Sequence, residues 1–325
     1  MHENPAVNEN VNEEENLKHR GRFYQMGIYL GKFLRMFVYQ NDWKVLPMGA
    51  LIAAVVTFVI GANLFKTQEG TKIGVFALVC VCIWNGFFNS IQVICREREI
   101  IKREHRAGLH MSSYVAAQMI YQLLLCAAQT VVTLLICNIT GVHLPKEGIV
   151  TPWGLLDTGI TILLVTYTAD MMALMVSCIV RTTTTAMTTM PFLLIFQLVF
   201  SGGFFELSGI AEKIKYLTIS HWGMDSLCAI GRYNDQPMVT LWNTLVKFKD
   251  IEVEGVKPLQ EVLIMMEDEG LRDPFLLWAG KQNALVEYTA EMPVILKYWG
   301  ALLILLVVFV IASVVALEFI DRDKR

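Results

Sequence analysis

Arg96-Glu97-Arg98-Glu99-Ile100-Ile101-Lys102-Arg103-Glu104-His105-Arg106-Ala107-Gly108 separates two long apolar runs, and its position decides the fold class. Ile73 to Ile94 on one side and Tyr114 to Ile139 on the other carry no formal charge. Each is longer than the roughly 20 residues a helix needs to cross a bilayer. A dense charge cluster between two such runs reads as a short loop at one membrane face, where a soluble partner can dock.

The rest of the chain agrees with that reading. Its 325 residues are 54% hydrophobic and only 18% charged, with a mean hydropathy of +0.47, far from a soluble average. Six candidate spans follow, at about Leu46–Leu64, Ile73–Ile94, Tyr114–Ile139, Gly154–Val180, Ala186–Phe205 and Pro293–Leu317. Lipid leaves backbone groups no partner outside their own helix or a closed barrel. These runs are too long and too continuously apolar for alternating barrel strands. The predicted fold is an all-α polytopic membrane protein with six transmembrane helices.

Lysine and arginine in the short loops set the orientation. With the N-terminus inside, fifteen basic residues fall on the cytoplasmic side: six from Lys18 to Lys44, five in Arg96 to Arg106, Arg181, and Arg322, Lys324 and Arg325. The short outer loops hold three, Lys66, Lys72 and Lys146. The charged cluster and both termini are therefore expected in the cytoplasm of a multi-pass cell-membrane protein. The long connection from Glu206 to Glu291 is expected outside.

Residues Met1 to Asn16 lack the apolar stretch of a signal peptide and read as a disordered acidic tail. From Arg22 to Asn41, Phe23, Met26, Leu30, Phe33 and Phe37 recur at helical spacing, with Gln25, Lys32 and Arg35 elsewhere around the turn. An amphipathic helix on the inner membrane surface and an ordinary packed helix fit this pattern equally. The expected organisation is a tail (1–21), the amphipathic helix (22–43), spans one to five (44–205) with the charged loop at 96–113, an extracytoplasmic re-entrant and cap segment (206–292), and the last span with a basic tail (293–325).

Catalytic signatures are missing from the sequence. Gly280-Lys281 and Gly31-Lys32 are not followed by Ser or Thr, so there is no phosphate-binding loop. No His-Glu-x-x-His, no ligand-spaced histidine pair and no Gly-x-Ser-x-Gly elbow occurs, so no catalytic or metal-ligating residue is assigned. Five of the seven cysteines lie within spans, Cys95 at a cytoplasmic edge and Cys228 in the outer segment, which predicts buried thiols rather than a disulfide framework.

Three features together resemble the type-2 ABC export permeases, closest to the membrane domains of the G subfamily of ABC transporters and its bacterial versions fused to forkhead-associated and ATPase domains. The amphipathic helix before span 1 resembles the family's connecting helix. Glu97-Arg98, Arg103-Glu104, Gly108 and Tyr114 resemble its coupling-helix stretch. Phe200-Ser201-Gly202-Gly203-Phe204-Phe205, Leu207-Ser208-Gly209, Leu217 to Ser220 and Trp222 resemble the exit from span 5 into a re-entrant outer element.

The resemblance implies a dimer with a second permease copy or paralogue, two cytoplasmic ABC ATPase subunits, and membrane lipid as surroundings, with no nucleic acid. ATP and magnesium would reside on the ATPase, leaving this chain without a cofactor. Glu97, Arg98, Arg103, Glu104 and Gly108 would couple to the ATPase, against the simpler reading of a solvated turn with positive-inside anchoring. A pathway for amphiphilic, lipid-like or peptide cargo would use Asn85, Phe88, Phe192, Phe196, Gln197 and Phe200. Two departures stand out: no fused ATPase is present, and Pro237 to Glu291 exceeds what a re-entrant loop requires. Within that excess, Leu259, Val262, Leu263 and Met266 beside Glu261, Glu267, Asp268 and Glu269 predict a small amphipathic cap.

Polar residues inside the spans leave two readings open. Asn89 and Gln92 can be helix-to-helix glue or cavity wall. Tyr114, Gln118, Gln122, Gln129 and Thr133 form a stripe expected to face the bundle. Asp170 is the lone deep carboxylate, either a proton or cation relay or a hydrogen-bonded structural acid. Thr182 to Thr185 are expected to cap the turn before span 5. Against the exporter stands a different class, a membrane-anchored regulatory or assembly protein that recruits a soluble partner without transport.

Overall fold

A computed structural model describes residues 21–39, 42–203, 207–252 and 257–319. The expected tail over residues 1–20, Phe204 and Phe205 at the expected end of span 5, and Arg322, Lys324 and Arg325 lie outside the described residues. The described chain is helical, and an isolated bridge between Glu147 and Trp153 is the β-pairing found within it.

Four helical stretches are long and apolar enough to cross a membrane. The first joins α3 (Gln68–Ser90) to α4 (Val93–Arg106); the others are α5 (Met111–Ile139), α6 (Gly154–Ile179) and α13 (Met292–Glu318). Two apolar helices are shorter than their sequence runs. Span 1 becomes α2 (Val45–Ile60, 16 residues) and span 5 becomes α7 (Thr183–Val199, 17 residues). At 1.5 Å per residue each reaches about 25 Å, short of the roughly 30 Å hydrocarbon core. Apolar sequence continues past both helices into turns: Gly61–Leu64 leaves the helix and Phe65 takes a left-handed φ of 62°.

Among the four long stretches α6 is the most enclosed, and it packs against both α3 and α13. Apolar burial gains little in lipid, so close packing has to hold these helices together. Small residues make that possible: Gly86 of α3 meets the Thr166 carbonyl and Ala169 of α6, and Ala169 and Ala173 are fully buried. The other extreme is α13, whose Leu303, Ile304, Val307, Val308, Ile311 and Val315 form an exposed apolar face. Leu302, Leu306, Ser313 and Leu317 form its buried side.

The amphipathic segment is α1 (Arg22–Tyr39), and it packs against α5. Phe33 is buried and makes an edge contact with Tyr114 at 5.5 Å, while Met26, Leu30 and Met36 pack against the same cluster. Phe23, at the head of the expected stripe, is instead exposed.

Beyond α7, a short helix α8 (Ile210–Ile214) leads into α9 (Ile219–Ile230), which is almost wholly buried against α3, α6 and α13. A cap of α10 (Thr240–Lys247), α11 (Pro258–Asp268) and α12 (Arg272–Gln282) encloses Trp242, Leu263 and Leu276. It is tied to the start of α3. The Glu69 carboxylate accepts the Val239 and Thr240 amides (3.2 and 2.7 Å), and Gln68 Nε2 donates to the Gly280 carbonyl at 2.8 Å. Cys228 is buried and free, as are the span cysteines apart from half-buried Cys80.

Candidate functional site

The charged cluster is a helix, α4, where the charge pattern suggested a loop and the family resemblance a coupling helix, and it has two distinct faces. Ile94, Cys95, Glu97, Arg98 and Ile101 are buried; Arg96, Glu99, Ile100 and Arg103 are exposed. The spacing of 3 and 4 between exposed residues is that of one helical face. A helix whose first turn lacks upstream carbonyl partners must find acceptors for its amides. Here Ser177 of α6 supplies one oxygen to both Ile94 N and Cys95 N, at 3.1 and 3.3 Å.

Arg98 closes the opposite account. The last carbonyls of α6 have no intrahelical donor and carry the negative end of the helix dipole. Arg98 Nη1 donates to the Cys178 and Val180 carbonyls at 2.9 and 3.1 Å. The guanidinium is therefore a cap for α6, turned into the bundle.

Two further charges of α4, Glu97 and Glu104, are met by α1. Gln25, Tyr29 and Lys32 fall at i, i+4 and i+7 and read directly onto the cluster. Lys32 Nζ pairs with Glu97 Oε2 at 3.0 Å, and Tyr29 Oη donates to Glu104 Oε2 at 2.8 Å. Burial and the neighbouring Glu104 carboxylate hold the Tyr29 phenol well above its ordinary range, so it stays a donor. Gln25 spans the turn after α4, donating to the Gly108 carbonyl at 3.2 Å and accepting from His110 N at 3.0 Å. Gly108 itself adopts φ of 98°, the left-handed conformation that ends a helix and starts the reversal into α5.

Of the five residues assigned to coupling, the structure thus ties Glu97, Arg98 and Glu104 to partners inside the chain and gives Gly108 to the turn. Arg103 is exposed, and Glu99 and Ile100, which the sequence reading did not single out, lie beside it. Their signal was available: they are the residues left over once the apolar stripe Ile94, Ile101 is turned inward.

Within this chain the pathway residues fall in two groups, Asn85 and Phe88 on α3 and the others on α7 and the residue that ends it. Asn85 is buried and rests on Gly49 of α2. Phe88 and Phe192 are largely exposed, and Phe196 and Phe200 pair at 4.9 Å between centroids. Gln197 is fully engaged: its Oε1 accepts the Ile219 and Ser220 amides at 2.8 and 3.2 Å, capping α9, and its Nε2 reaches Met172 Sδ at 3.7 Å.

The inward stripe of α5 is buried throughout, and with it comes the setting of Asp170. Asp170 Oδ2 accepts from Asn89 Nδ2 of α3 at 3.4 Å and from Cys126 Sγ of α5 at 3.3 Å. Asn89 and Gln129 exchange two amide bonds at 2.9 Å. The acid is thus the centre of a polar cluster drawn from three helices, its bonded partners on different helices lying 37 to 81 residues apart, beyond the reach of sequence spacing. Thr182 caps α7 by accepting the Thr185 amide at 3.2 Å.

Two cavities open where α1, α2, α3 and α5 meet. One, of about 310 Å³, is lined by residues of α1, the α3–α4 junction and α5; the other, of about 240 Å³, lies between α2 and Asn85 and Phe88. Among the described residues no group of three or more His, Cys, Asp or Glu side chains is arranged to hold a metal.

The described residues thus form a helical bundle with four stretches long and apolar enough to cross a membrane and a two-faced amphipathic helix at the end of one of them. Residues 33–230 match the ABC-2 type transporter family, and the chain belongs to that family as a membrane permease domain. No curated protein matches it.

Proposed function

We propose that this chain is the permease subunit of an ATP-driven exporter with six membrane-crossing helices, the short α2 and α7 included. It works as a dimer with two cytoplasmic ATPase subunits that carry the ATP and magnesium, and it moves amphiphilic, lipid-like or peptide cargo outward by alternating access. The observation that carries this reading is the division of α4. One face is bonded to the end of α6 and to α1, while Glu99, Ile100 and Arg103 face outward. A partner gripping the outer face would move α1, α3 and α6 as one unit, because hydrogen bonds rather than loose chain connect them. The exposed aromatics of α3 and α7, Phe88 and Phe192, suit a pathway wall completed by a second copy.

Reversing the outer charges tests this directly. A Glu99→Lys, Arg103→Glu variant should bind the ATPase at least about tenfold more weakly, the scale of one lost charge-assisted contact. Its unfolding midpoint should stay that of the parent, since both side chains are exposed. An intact complex with undiminished ATP-driven transport would remove α4 as the joint. Partner binding without any ATP-dependent cargo movement would favour the anchoring protein instead.

Orientation has its own test. Lys249 and Glu267 are exposed on the cap side. Single cysteines there, on a background without the native seven, should react with an impermeant maleimide in intact cells. Reaction only after lysis would invert the topology and with it the export direction.

A further inference from the structure

The helix α9 carries a buried base and a buried acid one turn apart, and the reading above gives neither a role. His221 and Asp225 are 4% and 3% exposed, and His221 Nδ1 lies 3.4 Å from Asp225 Oδ2. Their spacing of four puts both side chains on one side of the helix. Aromatic rings close over the imidazole, whose centroid is 5.4 Å from that of Tyr216 and 4.9 Å from that of Trp222. Gln197 caps the first turn of α9 at Ile219 and Ser220, so the pair sits where the end of α7 meets the outer segment.

A buried carboxylate is costly unless a partner balances its charge. The elements packed around the pair supply little balance. Lys215, between α8 and α9, and Glu287, before α13, are bridged to each other at 3.5 Å, so their charges largely cancel. Lys297 of α13 is exposed, where water and salt screen it. Tyr288, Tyr298 and Cys228 are held protonated by burial. Lys72 of α3 acts on Cys228, and α6 offers a hydroxyl, Thr161 Oγ1 lying 3.2 Å from Ser226 Oγ. Burial, and after it Glu287, holds the Asp225 carboxyl well above the usual carboxylate range. Burial and then Lys215 push the His221 imidazole down to about 4. One proton held between the two side chains leaves the pair with no net charge, whichever atom carries it.

We propose that His221 and Asp225 form a one-proton site that fastens α9 into the bundle and loosens it as the pH rises through neutrality. In water the imidazole gives up its proton near 6.5 and the carboxyl near 3.8. Between those values packed and released α9 each hold one proton, so packing is indifferent to pH there. Above 6.5 the released helix holds none while the packed pair keeps its one. Packing therefore weakens by about tenfold per pH unit in that range. The site depends on the packing of α9 alone and would work with or without ATP-driven transport.

The test is amide hydrogen exchange of α9 in the purified full chain in nanodiscs, read by mass spectrometry from about pH 5.5 to about pH 8.5. Each rate is divided by that of the unstructured chain at the same pH. The opening constant of α9 should be level up to about pH 6.5 and then climb about tenfold per unit. Asp225→Asn should remove the climb, because a lone neutral histidine exchanges no proton above 6.5 on release. His221→Gln should extend the climb down through the whole range, because an exposed aspartate has already lost its proton there. Should Asp225→Asn fail to fold, the profiles of the parent and of His221→Gln still decide. A parent profile level above pH 6.5, a climb that survives Asp225→Asn, or a His221→Gln profile with the parent's onset overturns the assignment.

Discussion

Arg98→Ala should lose the joint between α4 and α6 and unfold at lower denaturant than the parent by about 3 kcal/mol, the upper range for hydrogen bonds made by a charged donor. The side chain is 7% exposed and its Nη1 serves two carbonyls at the end of α6. Alanine leaves both without that donor and strips a positive charge from the negative end of a helix dipole. Arg98→Lys should fall between, since an ammonium is a point donor and lacks the planar fork. The measurement is denaturant unfolding of the purified chain in detergent micelles, followed by circular dichroism. An alanine variant as stable as the parent would show that the bonds at Cys178 and Val180 are dispensable, and the rigid-joint argument for α4 would go with them. The contrast with Glu99→Lys, Arg103→Glu is the informative part: one change acts on stability, the other on partner binding.

Gly86→Leu should prevent α3 and α6 from packing at all. A Cβ placed on Gly86 collides with the Thr166 carbonyl oxygen and comes within 2.8 Å of the Asp170 nitrogen, both backbone atoms of α6. Backbone cannot swing aside as a side chain can. Even Gly86→Ala sets about 1 kcal/mol of gained helix propensity against about 1–3 kcal/mol of overpacking, so it should lose stability on balance. Leucine adds three further carbons in the same place, and little monodisperse protein should survive detergent extraction. Recovery of a leucine variant with parental stability would mean that the two helices do not cross at Gly86. The same crossing holds Asp170 next to Asn89, so milder changes at Gly86 should also disturb the polar cluster.

The two expected effects share a cause that sequence reading handles unevenly. Long apolar runs announced α3, α5, α6 and α13, because crossing lipid imposes a length and a composition that no other environment requires. The glutamine stripe of α5 was equally legible, since amides avoid lipid and a 3.6-residue period shows which side they occupy. Thr182 as a cap followed from its hydroxyl and its place before a helix. Each of these is local, decided within a few turns of one segment.

What only the tertiary structure decided is which polar group answers which. Thirteen residues dense in charge read as a solvated loop because nothing in Arg96 to Gly108 shows that Lys32, Tyr29 and the end of α6 will meet it. Once Lys32 pairs with Glu97, Tyr29 donates to Glu104 and Arg98 donates to the last carbonyls of α6, a helix half sunk into the bundle is stable. Gln197 looked like a pathway amide until α9 presented its unpaired amides to it. Asp170 looked solitary because Asn89 and Cys126 lie on other helices. Composition and period fix where a chain can enter a membrane; the pairing of buried donors and acceptors depends on contacts between distant segments, which no local pattern encodes.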